Sequence, residues 1–114
     1  MSKRPVKLLI EDIWDALIKI DRYVAGMTKE TFAADDKTVD AVARNFEIIG
    51  EAAARLSEDF RSQHENIEWK KIIGLRHRII HGYFGIDLEL LWLIIQKDLP
   101  IFRSALQFIR DSFS

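Results

Sequence analysis

The sequence predicts an all-α protein, an antiparallel bundle of four to five helices, and three observations support that prediction. Apolar residues recur at steps of three and four along almost the whole chain, which is the period of a helix with one buried face. The 114 residues include only five glycines and two prolines, and no alternating strand pattern is present. The periodic segments are joined by short polar connections. We therefore expect a single helical domain over residues 1–114.

The first half of the chain predicts two long helices with a short one between them. The first is expected from Val6 to about Met27, and a short helical turn is expected around Thr28–Ala34. Asp35 or Asp36 can cap the next helix, because an aspartate oxygen accepts hydrogen bonds from the free N–H groups of a first turn. Its apolar stripe is the most regular in the chain and comprises Val39, Val42, Phe46, Ile49, Ala53, Leu56 and Phe60.

The second half predicts two further helices. Ser62–Asn66 interrupts the periodicity, and Asn66 is a candidate cap for a helix from Ile67 to about His81. Asp87 is predicted to cap the last helix, which extends to the C-terminus. Pro100 lies inside that helix and lacks a backbone N–H, so we expect a kink near Pro100.

Composition and charge exclude several classes of protein. The chain has no cysteine, which rules out disulfides, thiolate zinc sites and cysteine nucleophiles. Its longest apolar stretch, Leu90–Ile95, is shorter than a secretory or membrane-spanning segment, so we expect a cytoplasmic protein that does not bind a membrane. The net charge of −1 gives no global sign of nucleic-acid binding, which would therefore need a local basic patch.

Such a patch is predicted in the segment Lys70–His81. Its basic side chains Lys70, Lys71 and Arg78 are candidate RNA contacts, although Arg78 is expected to point into solvent. On a helical wheel Arg76 falls in the middle of the apolar arc.

An arginine at that position requires a partner, and three explanations are open. Arg76 could form a buried ion pair or stack on Trp69, or it could bind an anion, since guanidinium is a planar donor suited to phosphate. In the first case Glu47 or Glu51, on the preceding long helix, could hold it.

Two histidines and a tyrosine lie near Arg76. His77 and His81 share one flank of the predicted helix, and Tyr83 follows two residues later. Imidazole moves protons near neutral pH, so arginine, histidine and tyrosine together would suffice for phosphodiester cleavage without a metal. Arg76 and His81 are about 140° apart on an ideal wheel, so their convergence requires a frayed last turn, the reach of the arginine or a second subunit. The i,i+4 histidines also match a metal-ligand pair, but no third ligand is evident and we expect no metal.

These residues resemble a known family. The motif has four residues between Arg76 and His81 and one between His81 and Tyr83. This spacing resembles the R-x4-6-H motif of the HEPN superfamily, and more narrowly the R-x4-H-x-Y form of the HepT toxins. The surrounding sequence GLRHRIIHGYFGID, the later Asp98-Leu99-Pro100 and the earlier NFEIIGEAAARL are also similar. The resemblance covers nearly the whole chain, including its length and helix order.

The resemblance implies a homodimeric ribonuclease toxin of a toxin–antitoxin system. Arg76 and His81 would be the catalytic pair in a cleft between subunits, with His77 in a supporting position. The partner would be a minimal nucleotidyltransferase (MNT) antitoxin that transfers AMP from ATP to Tyr83. The substrate would be RNA, with tRNA favoured, and the product a 2′,3′-cyclic phosphate formed without a cofactor. The alternative is a non-catalytic HEPN-like module that dimerises and binds a nucleotidyltransferase or a nucleotide; a purely structural adaptor is a third possibility.

Two further patterns concern packing. Leu90, Trp92, Leu93 and Ile94 make the first half of the last helix apolar on nearly all sides, which favours a dimer independently of the resemblance. Gly50 lies in the apolar arc of its helix and indicates a close approach between helices rather than a phosphate-binding loop.

Overall fold

The computed structural model describes residues 4–80, 82 and 85–113, which form a compact bundle of helices. No strand occurs within these residues, and the all-α prediction is confirmed. In chain order the elements are α1 (Val6–Val24), α2 (Lys29–Ala33), α3 (Asp36–Arg55), α4 (Glu58–Ser62), α5 (Trp69–Ile73), α6 (Leu75–Ile79), α7 (Leu88–Leu93), a π-helical turn (Ile94–Asp98) and α8 (Leu99–Asp111).

The two longest helices, α1 and α3, pack against each other, and α8 packs on α1. The ion pairs Arg110–Glu11 at 2.8 Å and Arg103–Asp21 join opposite ends of α8 and α1, so these two helices are antiparallel. Buried apolar side chains from all the helices except α4 form one core. Each large side chain removed from water in this way contributes roughly 1.5–3 kcal/mol. The core therefore fixes α3 as a rigid support for the elements that follow.

The helix starts follow the capping residues in the sequence. The Asp35 carboxylate accepts from Thr38 N at 3.1 Å and the Asp87 carboxylate accepts from Leu90 N at 3.0 Å, which confirms Asp87 and selects Asp35 over Asp36. The prediction for Asn66 is wrong, because α5 begins at Trp69.

The helix α3 ends five residues earlier than its apolar stripe suggests. Leu56 is extended, and the Ser57 hydroxyl accepts from Phe60 N at 3.1 Å, which starts α4. The Arg61 guanidinium then donates to the Ala53 carbonyl at 3.2 Å and so satisfies an acceptor at the end of α3. The stripe continues across this break because both helices face the same core.

The helix predicted from Ile67 to His81 is two short helices. A turn at Gly74 separates α5 from α6, and α6 ends at Ile79, where Ile80 becomes extended. Because the turn interrupts the helical periodicity, a single wheel does not describe both helices. This break changes the predicted position of Arg76, as described below.

The kink near Pro100 stays a prediction, and a π-helical turn lies just before that proline. The Leu99 N–H donates to the Ile94 carbonyl, five residues back, instead of four. Pro100 follows within the first turn of α8, a position at which the fixed φ of proline suits a helix. The chain therefore continues as a helix past the proline.

The apolar surplus of the last helices is largely covered. Ile94 is buried, and the half-buried Trp92 stacks on Phe32 with ring centroids 5.2 Å apart. The large apolar side chains left on the surface of this part of the fold are Leu93, Ile101 and Phe108. The helices that the structure describes include none with the length and apolar content to cross a membrane.

Candidate functional site

The site is built where α3 meets α5 and α6. A Cβ added to Gly50 would lie 2.8 Å from the backbone oxygen of Ile73, so the two helices approach more closely there than any side chain would permit. This confirms the interpretation of Gly50 as a packing residue. One turn earlier on α3, Glu47 Oε2 lies 3.4 Å from Nε of Arg76, which belongs to α6. Both α5 and α6 therefore contact this stretch of α3.

Arg76 lies at the surface and not in the apolar core, which corrects the wheel. Its side chain is 53% exposed, because the turn at Gly74 rotates α6 relative to α5. Trp69 does not stack on it: the indole is buried edge-on against Phe102 and donates to the His64 carbonyl at 3.1 Å. Of the explanations open for Arg76, the structure supports an ion pair with Glu47, although that pair is half-exposed rather than buried.

The Glu47 carboxylate contacts two arginines. Its Oε1 accepts from Arg44 Nη1 at 2.8 Å, and its Oε2 faces Arg76. Arg44 precedes Glu47 by one turn of α3, so the first contact is local to that helix. The second contact is tertiary and joins α3 to α6.

Beside this ion pair lies an open groove with a volume of about 420 Å³. Its wall combines apolar side chains with two carboxylates, a guanidinium and an exposed imidazole. The lining residues are Phe46, Glu47, Gly50, Glu51, Ala54, Ile73, Arg76 and His77. Arg76 and His77 of the predicted site are therefore neighbours in one concave surface.

Backbone hydrogen bonds join the two ends of the segment that follows α6. Ile80 and Ile86 form an antiparallel bridge, and the Asp87 N–H donates to the Ile79 carbonyl at 2.6 Å. Gly82 and Gly85 have φ of +46° and +78°, a backbone region that favours glycine. His81 and Tyr83, predicted as catalytic and modified residues, lie outside the residues that the structure describes.

The basic residues Lys70, Lys71 and Arg78 lie near one another but apart from the groove that holds Arg76. Lys71 pairs with Glu68 at 2.7 Å, and this hydrogen bond, with the lysine charge, lowers the pKa of the Glu68 carboxyl. Arg78 was expected in solvent but is half-buried and donates to Asp98 Oδ2 at 3.1 Å. Lys70 is exposed on the outer side of α5. None of these three side chains lines the groove that holds Arg76.

Two partners in this region follow from tertiary structure. The sequence left Glu47 and Glu51 as equal candidates for holding Arg76, and it gave no partner for Arg78. Asp98 reaches Arg78 from the π-helical turn, twenty residues further along the chain. Nothing in the local sequence Asp98-Leu99-Pro100 indicates this contact.

Metal ligands are not clustered in the part of the chain that the structure describes. No group of three His, Asp or Glu side chains converges there. His81, the second member of the i,i+4 histidine pair, falls outside that part, so the pair itself is not tested.

Comparison with known proteins places the chain in a family. The family model for HepT-like ribonucleases matches residues 13–109. The chain belongs to the HepT-like ribonuclease family. Two HepT-like relatives match over almost their whole length. One, named "Probable ribonuclease HepT", from Thermococcus cleftensis, is 36% identical over 108 residues, which are 95% of this chain and 98% of the relative. The other, "Putative RNase MJ1380" from Methanocaldococcus jannaschii, is 37% identical over 109 residues, 96% of this chain and all of the relative.

No solved structure matches this HepT-like chain. The family assignment therefore comes from sequence comparison, and it confirms the resemblance to HepT proteins. The helical fold described above is consistent with that assignment.

Proposed function

We propose that this HepT-like protein is an endoribonuclease toxin that cleaves RNA without a metal ion, using Arg76 and His81. The observation that supports this most directly is the half-exposed guanidinium of Arg76 on the wall of an open groove, beside His77. Four residues separate Arg76 from His81, and the bridge between Ile80 and Ile86 joins the two ends of the segment that contains that histidine.

The proposed reaction is an internal transesterification. His81 takes the proton from the ribose 2′-hydroxyl, or in its protonated form gives one to the leaving 5′-oxygen. The 2′-oxygen forms a bond to phosphorus as the bond to the 5′-oxygen breaks, which yields a 2′,3′-cyclic phosphate and a 5′-hydroxyl. Arg76 stabilises the negative charge that builds on the phosphoryl oxygens. No oxidant, cofactor or metal is needed to balance this step.

The active form is proposed to be a homodimer. One chain supplies one Arg76 and a groove that also contains two carboxylates, Glu47 and Glu51. A second copy facing the groove would add a second arginine and histidine, which would favour the bound phosphate. The exposed apolar residues Leu93, Ile101 and Phe108 are available for contacts between copies.

The proposed regulator is a nucleotidyltransferase antitoxin that AMPylates Tyr83. The Tyr83 phenolic oxygen would attack the α-phosphate of ATP and release pyrophosphate. The adduct adds bulk and negative charge two residues from His81, where the RNA phosphate must bind, so it should repel the substrate. Lys70, Lys71 and Arg78 are proposed as contacts to the RNA backbone outside the groove.

Cleavage by the purified protein tests the catalytic pair. We expect wild-type protein to cleave RNA in EDTA, and Arg76→Ala and His81→Ala to lose that activity. His64→Ala is the matched histidine control, since His64 stacks on Phe60 away from the groove. Activity that disappears in EDTA and returns with added metal would contradict the metal-free mechanism. If wild type and all variants leave the RNA intact, and the protein still binds the antitoxin, the result would support the non-catalytic module instead.

Modification tests the regulatory proposal separately. With the antitoxin and ATP, wild-type protein should gain the mass of AMP and lose activity. Tyr83→Phe should do neither, while Tyr23→Phe, which changes the other tyrosine in the chain, should behave like wild type. Full inactivation of Tyr83→Phe by antitoxin and ATP would refute the assignment of Tyr83.

A further inference from the structure

We infer that Glu47 is the positioning residue for Arg76, an inference that rests on the proposed function of Arg76. Glu47 lies near the middle of α3, the 20-residue helix packed along α1, so its backbone is fixed by the core. Arg76 is the second residue of a five-residue helix, and more than half of its side chain is exposed. The ion pair with Glu47 therefore restricts the side chain of Arg76, which is otherwise free to move at the surface.

The ion pair has a built geometry. Arg44 Nη1 binds Glu47 Oε1 at 2.8 Å, which fixes the carboxylate and turns its other oxygen towards Arg76. The close contact of Gly50 with the Ile73 carbonyl sets how near α3 comes to the end of α5, three residues before Arg76. A longer separation there would also move the start of α6, and with it Arg76, away from Glu47.

The contact faces one edge of the Arg76 guanidinium and leaves another edge for phosphate. Glu47 Oε2 faces Nε, which is one of five N–H donors of the guanidinium. The two terminal Nη groups form a further pair of donors that can bind phosphate. An ion pair at Nε therefore orders the guanidinium while leaving that pair for the RNA. Fixing a long side chain before the reaction also lowers the entropy that is lost on reaching the transition state.

Glu51 provides a matched comparison. It lines the same groove, one turn further along α3, and no ion pair joins it to Arg76 among the residues described. Glu47→Gln and Glu51→Gln remove the same charge from the same surface. Because RNA is a polyanion, loss of either carboxylate should strengthen binding if charge alone matters. Only a positioning role makes the loss of Glu47 lower the turnover.

Steady-state cleavage of an RNA oligonucleotide distinguishes the two roles. We expect Glu47→Ala to lower kcat by about 10-fold to 100-fold with no rise in KM. Glu47→Gln should be less affected, since it keeps the shape of the side chain and an amide oxygen that faces Nε. Glu51→Gln should lower KM without a comparable loss of kcat. In an Arg76→Ala background, Glu47→Ala should have no further effect. Thermal melts should show that all these variants are folded, because a half-exposed ion pair contributes little to stability.

A measurement that does not depend on cleavage decides whether Glu47 orders Arg76. Nitrogen-15 relaxation of the Arg76 Nε–H, assigned by its loss in Arg76→Lys, should report a restricted side chain in wild type and in Glu51→Gln. The same signal should become mobile in Glu47→Ala. Equal mobility in all three, or equal kcat losses for Glu47→Ala and Glu51→Gln, would overturn the inference. An Arg76→Ala variant that cleaves RNA like wild type would contradict the proposed function, and the relaxation data would still decide the positioning.

Discussion

Replacing Gly50 with alanine tests the packing that forms the groove. The added Cβ would lie 2.8 Å from the Ile73 carbonyl oxygen, which is 0.6 Å short of the 3.4 Å at which ordinary contact begins. Both atoms belong to the backbone frame of their helices, so no side-chain rotation relieves the overlap. Helix α3 must move away from the end of α5 by several tenths of an ångström.

The expected cost follows from two opposing effects. In an open helix, glycine to alanine stabilises by about 1 kcal/mol, because glycine loses more backbone entropy on folding. Overpacking of a tight interface costs about 1–3 kcal/mol. We therefore expect Gly50→Ala to be destabilising by up to about 2 kcal/mol, or roughly 4 °C in Tm per kcal/mol for a chain of this size.

Urea denaturation measures this change against an internal control. Glu51→Gly and Glu51→Ala differ by the same substitution at the adjacent, exposed position of α3. Alanine should be the more stable residue at position 51 and glycine the more stable residue at position 50. The cleavage rate should also fall in Gly50→Ala, since the displacement separates Arg76 from Glu47. If Gly50→Ala is at least as stable as wild type, the close approach of the helices is refuted, and with it the packing argument for the groove.

Three further predictions concern other parts of the chain. The Thr38 N–H holds the pKa of the Asp35 carboxyl below its usual value. The stability from this cap is therefore complete above about pH 4 and is lost as pH falls through the lowered pKa. The stabilities of wild type and Asp35→Asn should converge when both are titrated to low pH, and parallel curves would contradict this. A double-mutant cycle of Arg78→Ala and Asp98→Ala should give a coupling of about 0.5–1 kcal/mol in urea, whereas zero coupling would mean that the 3.1 Å contact contributes nothing. Lys70→Ala should reduce the salt dependence of RNA binding by about 0.7 in log–log slope, and an unchanged slope would remove Lys70 from the RNA interface.

Much of the secondary structure followed from local sequence. Apolar periodicity predicted α1 and α3, and the caps Asp35 and Asp87 lie where an aspartate precedes a periodic segment. The break between α3 and α4 was missed, because the apolar period continues across it. Ser57 caps α4, but the apolar periodicity that runs past it favours a single continuous helix.

The position of Arg76 shows where a local pattern was insufficient. The wheel assumed one helix from Ile67 to His81 and buried Arg76, whereas the turn at Gly74 brings it to the surface. A glycine inside a periodic segment is compatible with both outcomes, since it is tolerated in a helix and also permits a turn. The packing of α5 and α6 against α3 decides between them.

The sequence by itself determined the helical class, the main caps, the role of Gly50 in close packing and the family, because each is encoded in the spacing of a few residues along the chain. The tertiary structure decided that Glu47 and not Glu51 contacts Arg76, and that Arg78 pairs with Asp98. Both partners are distant in sequence, and both glutamates lie on the same helix one turn apart. How far α6 is displaced along α3 determines which glutamate reaches Arg76. That displacement depends on the packing of the whole interface between the helices, which no local sequence pattern encodes.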